Sequence, residues 1–121
     1  MSGFRNAVEA HDIGAVESIL HPDVVFHSPA VHRPYSGRPT VLVLLGAVFD
    51  VFEDFRYVDQ IGDAPAEVLR FAARVGDREI DGIDLLRYDD DGLVTDLTVF
   101  IRPYSALAAV KDAMAIRLAN G

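Results

Sequence analysis

Apolar positions recur at helical spacing through the first half of the chain and alternate through most of the second. Phe4 to Ala10 predicts a short helix with Phe4 and Val8 on one face. Asp12 is placed to cap a second helix, whose apolar stripe is Val16, Ile19 and Leu20, and His21-Pro22-Asp23 ends it. Val24 to Ser28 predicts a short strand. Pro29, Pro34 and Gly37 mark an irregular stretch with a short strand near His32. Pro39 opens a helix running to about Asp54. It is apolar nearly all round, through Val41, Leu42, Leu44, Leu45, Val48, Phe49 and Phe52, so more than one of its sides must be covered. The concave face of a curved sheet is one such place.

Four strands are expected next. Phe55 to Ile61 is the first. Glu67 to Val75 is the second, with Leu69, Phe71, Ala73 and Val75 on one face and Arg70 and Arg74 on the other. Glu79 to Asp89 and Leu93 to Arg102 form a hairpin around Gly92. Pro103 then starts a C-terminal helix with a seam of Leu107, Val110, Met114 and Leu118. Helices followed by a run of strands predict an α+β fold with an antiparallel sheet. No repeat, linker or low-complexity tract divides the sequence, which reads as a single domain over residues 1–121.

One residue breaks the apolar alternation. The period of two puts Ile80, Gly82, Asp84, Leu86 and Tyr88 on one face of the third strand. If that face meets Leu93, Thr95, Leu97, Val99 and Ile101 of the last strand, Asp84 points into a pocket lined by Leu86, Leu97, Val99 and Ile101. Loss of hydration raises the pKa of such an acid. A carboxyl that keeps its proton can donate a hydrogen bond to a developing oxyanion. A buried Asp satisfied by tyrosine, serine or backbone partners, with no chemistry, explains the same pattern.

Composition narrows the field. The chain has 121 residues, half of them apolar, enough for a core without cross-links. A net charge of −8 argues against non-specific binding to nucleic acid or to an anionic membrane. The absence of Cys excludes thiolate chemistry and Cys-based metal centres. The longest apolar run, Val41 to Phe49, falls short of the roughly 20 residues of a membrane span. The first residues lack the apolar stretch of a signal peptide, so the expected location is cytoplasmic.

The four histidines, His11, His21, His27 and His32, match no metal-ligand spacing, and neither metal nor cofactor is expected. His27 should face away from the pocket. His32, in the loop at the expected pocket mouth, is either a candidate base or an ordinary surface-loop histidine. Tyr57 is a candidate hydroxyl beside Asp84, whereas Tyr88, four residues along the same face, belongs at a strand end.

The segment from Ile80 to Asp89, with Gly92 and the final strand, resembles the last hairpin of bacterial ketosteroid isomerases. Asp12 to Glu17, Pro22 to Phe26, and Gly37-Arg38 leading into a helix resemble their N-terminal half. The wider group is the nuclear transport factor 2-like superfamily, with the SnoaL-like polyketide cyclases. The resemblance implies a cone-shaped barrel, a curved antiparallel sheet wrapped around a long helix, usually in a dimer. It also implies that Asp84 occupies the place of the isomerases' protonated Asp, Phe4 that of their oxyanion tyrosine and Ser28 that of their base. Val99 stands where the related epoxide hydrolases carry an Asp.

The expected function is a small enzyme of isomerase, cyclase or dehydratase type acting on an apolar carbonyl compound. Asp84 would serve as neutral donor or general acid and His32 as base. Phe4, Phe26, Ser28, Tyr57, Phe71, Leu86, Leu97, Val99 and Ile101 would contact the substrate. A non-catalytic pocket for a hydrophobic ligand, or a dimeric accessory module, is the alternative. The outer face around Thr98 and Phe100 is expected to pair two copies in a homodimer.

Overall fold

A computed structural model describes residues 3–120. Two short helices, α1 (Gly3–Glu9) and α2 (Ile13–Ile19), precede β1 (Leu20–His27) and the two-residue β2 (Tyr35–Ser36). Helix α3 (Arg38–Val51) leads into β3 (Glu53–Asp63), β4 (Ala66–Val75), β5 (Arg78–Tyr88) and β6 (Val94–Arg102), and α4 (Tyr104–Ala119) follows. Asp12 caps α2 as its position predicts, accepting from the Ala15 amide at 3.0 Å. Such a cap contributes about 1 kcal/mol.

The strands form one curved sheet in the order β2-β1-β6-β5-β4-β3. The cone stays open, with β2 and β3 as its edges. Neighbours are antiparallel except β1 and β6, which are parallel. Helix α4 crosses β4, β5 and β6, while α3 packs on β1, β2, α2 and α4. The core lies between these helices and the sheet's inner face, around Phe4, Val16, Leu20, Val24, Val41, Leu69, Phe71, Leu86 and Leu97. Cover on α3 is incomplete: Val41, Leu45 and Ala47 are buried but Val43 is exposed.

Several boundaries differ from the expected ones. Strand β1 starts at Leu20 and runs through His21-Pro22-Asp23. It does so because the ladder skips from Leu20↔Val94 to Val25↔Asp96, so Pro22 sits where no amide is required. The short strand falls at Tyr35, not near His32. On β6 the alternation slips: the register passes from Arg87↔Asp96 to Tyr88↔Val94, and Val94 turns inward beside Leu97. Thr95 is the extra residue, its hydroxyl donating to the Arg87 carbonyl at 3.3 Å.

Candidate functional site

Strand β5 divides as its alternation predicts. Ile80, Gly82, Asp84 and Leu86 are buried, while Glu79, Ile83 and Arg87 are exposed. Asp84 pairs with Leu69 on one side and Val99 on the other, so its carboxyl stands among apolar side chains. It is 7% exposed. Desolvation raises its pKa from 3.8 to about 7, against a smaller downward pull from the Tyr57 hydrogen bond.

Tyr57 comes from β3, two strands away. The register runs Tyr57↔Phe71 and Phe71↔Gly82, so the phenol must cross β4 on the concave side. Its hydroxyl donates to Asp84 Oδ2 at 2.8 Å. Gly82 makes the crossing arrangement fit. A Cβ there would stand 2.2 Å from Phe71 Cζ, so the Phe71 ring occupies the space a side chain would take. Phe71 in turn stacks on Phe55, centroids 5.0 Å apart, and Phe55 meets the Tyr57 ring edge-on at 5.0 Å. The Arg5 guanidinium lies 5.8 Å from the Tyr57 ring centroid. Burial, followed by the charge of Asp84, pushes the Tyr57 phenol well above its ordinary pKa.

Asp84 and Tyr57 open onto a cavity of about 280 Å³. Of the sequence-predicted residues, Phe4, Phe26, Ser28, Tyr57, Phe71, Asp84, Leu97, Val99 and Ile101 all lie on its wall. Two others do not. Leu86 is fully buried beneath the wall. His32 is exposed: the chain lines the cavity through Pro29, Ala30 and Val31 and then leaves it. The α4 seam of Leu107, Val110, Met114 and Leu118 closes one side.

The structure also brings in polar residues that the pattern did not single out. His11 reaches the wall from the α1–α2 turn, where its backbone takes φ 53° and its ring sits 5.4 Å from Phe49. Lys111 reaches it from α4 and Tyr35 from β2. A signal for Lys111 was present, since it is the single lysine of the chain and stands within the α4 seam. His27 faces outward, within 3.2 Å of Asp96. Tyr88 lies at the strand end, donating to the buried Glu67 rather than to Asp84. Among the described residues no three His, Asp or Glu side chains gather as metal ligands, and no helix is long and apolar enough to cross a membrane.

Residues 2–97 match the family model of the SnoaL-like domain. The chain belongs to the SnoaL-like domain family. Within it, this SnoaL-like domain is similar to a steroid delta-isomerase from Pseudomonas aeruginosa. Identity is 44% over 97% of this chain and 87% of that one, with a TM-score of 0.92. A protein with a cystatin-like fold from Silicibacter pomeroyi is 33% identical over 95% and 82% of the two chains, TM-score 0.90. A structure assigned as a SnoaL-like polyketide cyclase from Shewanella denitrificans shares the fold at 16% identity, covering 98% and 93%, TM-score 0.66. Curated protein sequences give no match.

Proposed function

We propose that this SnoaL-like domain is a small-molecule enzyme of isomerase, cyclase or dehydratase type, acting on an apolar carbonyl compound in the cavity. The observation that carries this reading is Asp84, buried on an apolar wall with the Tyr57 hydroxyl 2.8 Å from its carboxyl. With Tyr57 donating to Oδ2, the protonated carboxyl is free to donate its own hydrogen to a substrate oxygen. A donor held in a water-poor site stabilises a developing oxyanion far better than water does. The similarity to a steroid delta-isomerase supports a cyclic ketone among the substrates to be tried.

Phe4 and Ser28 carry no acid or phenol, and the Ser28 hydroxyl is engaged by the Ala30 amide at 3.1 Å. In this reading Tyr57 supplies a hydroxyl beside Asp84 but spends its one proton on that carboxyl, so Asp84 makes the donation to the substrate oxygen. Of the four histidines only His11 reaches the wall, so the part of proton acceptor passes from His32 to His11.

The test is turnover of an unsaturated 3-ketosteroid and of its ring-truncated ketone analogues by wild type and Asp84→Asn. A loss of about a hundredfold in kcat is expected for an oxyanion donor. An unchanged kcat overturns the reading in favour of a non-catalytic ligand-binding module. The proposed partner state is a homodimer through the outer sheet face. There Ile83 and Phe100 are register partners and both exposed, Phe100 at 54%. Sedimentation of Phe100→Lys against wild type checks it, with a shift to monomer expected.

A further inference from the structure

The cavity wall is largely apolar, and its polar side chains among the described residues are His11, Ser28, Tyr35, Tyr57, Asp84 and Lys111. Asp84 and Tyr57 are each only 7% exposed. Lys111 is exposed on α4, and Leu107, Val110, Met114, Ala115 and Leu118 of the same helix also line the wall.

A lysine on a helix often lays its methylenes on apolar surface and leaves its ammonium in water. The chain carries 19 acidic residues against 11 Lys and Arg, so acidic partners are plentiful. Arg70, Arg74, Arg102 and Arg117 are each held by carboxylates. Among the described residues Arg33, Arg38, Arg56, Arg87 and Lys111 have no carboxylate partner, although Asp112 follows Lys111 in sequence. Of these five, Lys111 alone lies on the cavity wall. The single lysine of the chain thus stands unpaired on the wall of its apolar cavity.

We propose that Lys111 receives the carboxylate of a two-ended ligand, whose apolar body fills the cavity and whose carbonyl oxygen meets Asp84. The inference rests on the reading of Asp84 as a carbonyl donor and adds the substrate class: an apolar keto acid. A lone ammonium, with no arginine on the wall among the described residues, suits a singly charged carboxylate better than a phosphate. It is a specificity-determining residue and takes no part in bond making.

Calorimetric titration at pH 6 with 11-oxododecanoate, its methyl ester and dodecanoate tests this. Wild type should bind the keto acid about tenfold more tightly than the ester, as expected for one charge-assisted hydrogen bond at a partly exposed site. Lys111→Gln should erase that ratio, and Lys111→Arg should keep it. Equal affinity for acid and ester in wild type, or a ratio that survives Lys111→Gln, overturns the assignment. If the keto acid binds no better than dodecanoate while the Lys111 effect holds, the anion site stands and the carbonyl reading of Asp84 falls. Failure of all three probes to bind overturns both.

Discussion

Asp81 and Asp84 stand three residues apart on β5, face opposite sides of the sheet, and have their acidities pushed in opposite directions. On the outer face Arg70 grips Asp81 at 3.0 and 3.1 Å and Arg102 adds a contact at 3.2 Å. The Arg70 hydrogen bonds hold the Asp81 carboxyl below its ordinary pKa. On the inner face desolvation lifts Asp84 to about 7. One strand therefore presents a permanent anion to solvent and a proton-holding acid to the cavity.

Stability should fall between about pH 4 and pH 7 because of Asp84. In that window the unfolded carboxyl has lost its proton while the folded one keeps it, so raising the pH favours unfolding. The shift from 3.8 to about 7 corresponds to about 4 kcal/mol in all, present below pH 4 and gone above pH 7. Urea unfolding across this range should show the slope in wild type and its loss in Asp84→Asn. Asp81→Asn is the control. Its lowered pKa contributes stability above the ordinary carboxylate range that disappears only in acid, so the slope between pH 4 and pH 7 should persist.

Tyr57→Phe should raise the Asp84 pKa further. The phenol stabilises the ionised carboxylate, and its hydrogen bond is the one downward influence on Asp84. Carbon-detected NMR titration of the Asp84 side chain should show the midpoint moving up. The same variant should be destabilised more at pH 8 than at pH 5, because a hydrogen bond to a charged acceptor is worth about 1.5–3 kcal/mol and a neutral one about 1.

Gly82→Ala should disturb the site without touching a polar atom. The added Cβ meets the Phe71 ring at 2.2 to 2.7 Å, and that ring is backed by Phe52 at 5.9 Å and Phe55 at 5.0 Å. Overpacking of this kind destabilises by about 1–3 kcal/mol. Thermal unfolding should show the loss, and aromatic NOEs should show Phe71 displaced.

Glu67→Ala should be costly for a different reason. Glu67 is 2% exposed on the inner face of β4 and accepts from Tyr88 and, at 3.3 Å, from Gln60. Its loss leaves two half-buried donors without this acceptor, which destabilises by about 1 kcal/mol or more in all. Glu67 lies off the cavity wall, so ligand affinity in the folded variant should match wild type, as calorimetry will show.

The inward place of Asp84 was legible in the sequence because a strand has a period of two. Once Ile80 and Leu86 are assigned to the core, Asp84 must join them. The same rule sent His27 outward, and the α4 spacing foretold the seam that closes the cavity. The rule failed on β6, where one extra residue at Thr95 turned Val94 inward, because the slip depends on pairing with β5 rather than on β6 itself.

The chain's own pattern thus determined the elements, the α+β class and the acid on the inner face, all consequences of local periodicity and solvent exclusion. Only the tertiary structure decided which hydroxyl meets that acid. Tyr57 and Asp84 lie two strands apart, about 10 Å for flat neighbours. They touch because the sheet curves and Gly82 lets Phe71 lie low between them. The same holds for the parallel pairing of β1 with β6 and for the arrival of His11 and Lys111 at the cavity wall. Those relations are set by the curvature of the sheet and the packing of helices against it, distances that no periodicity along the chain encodes.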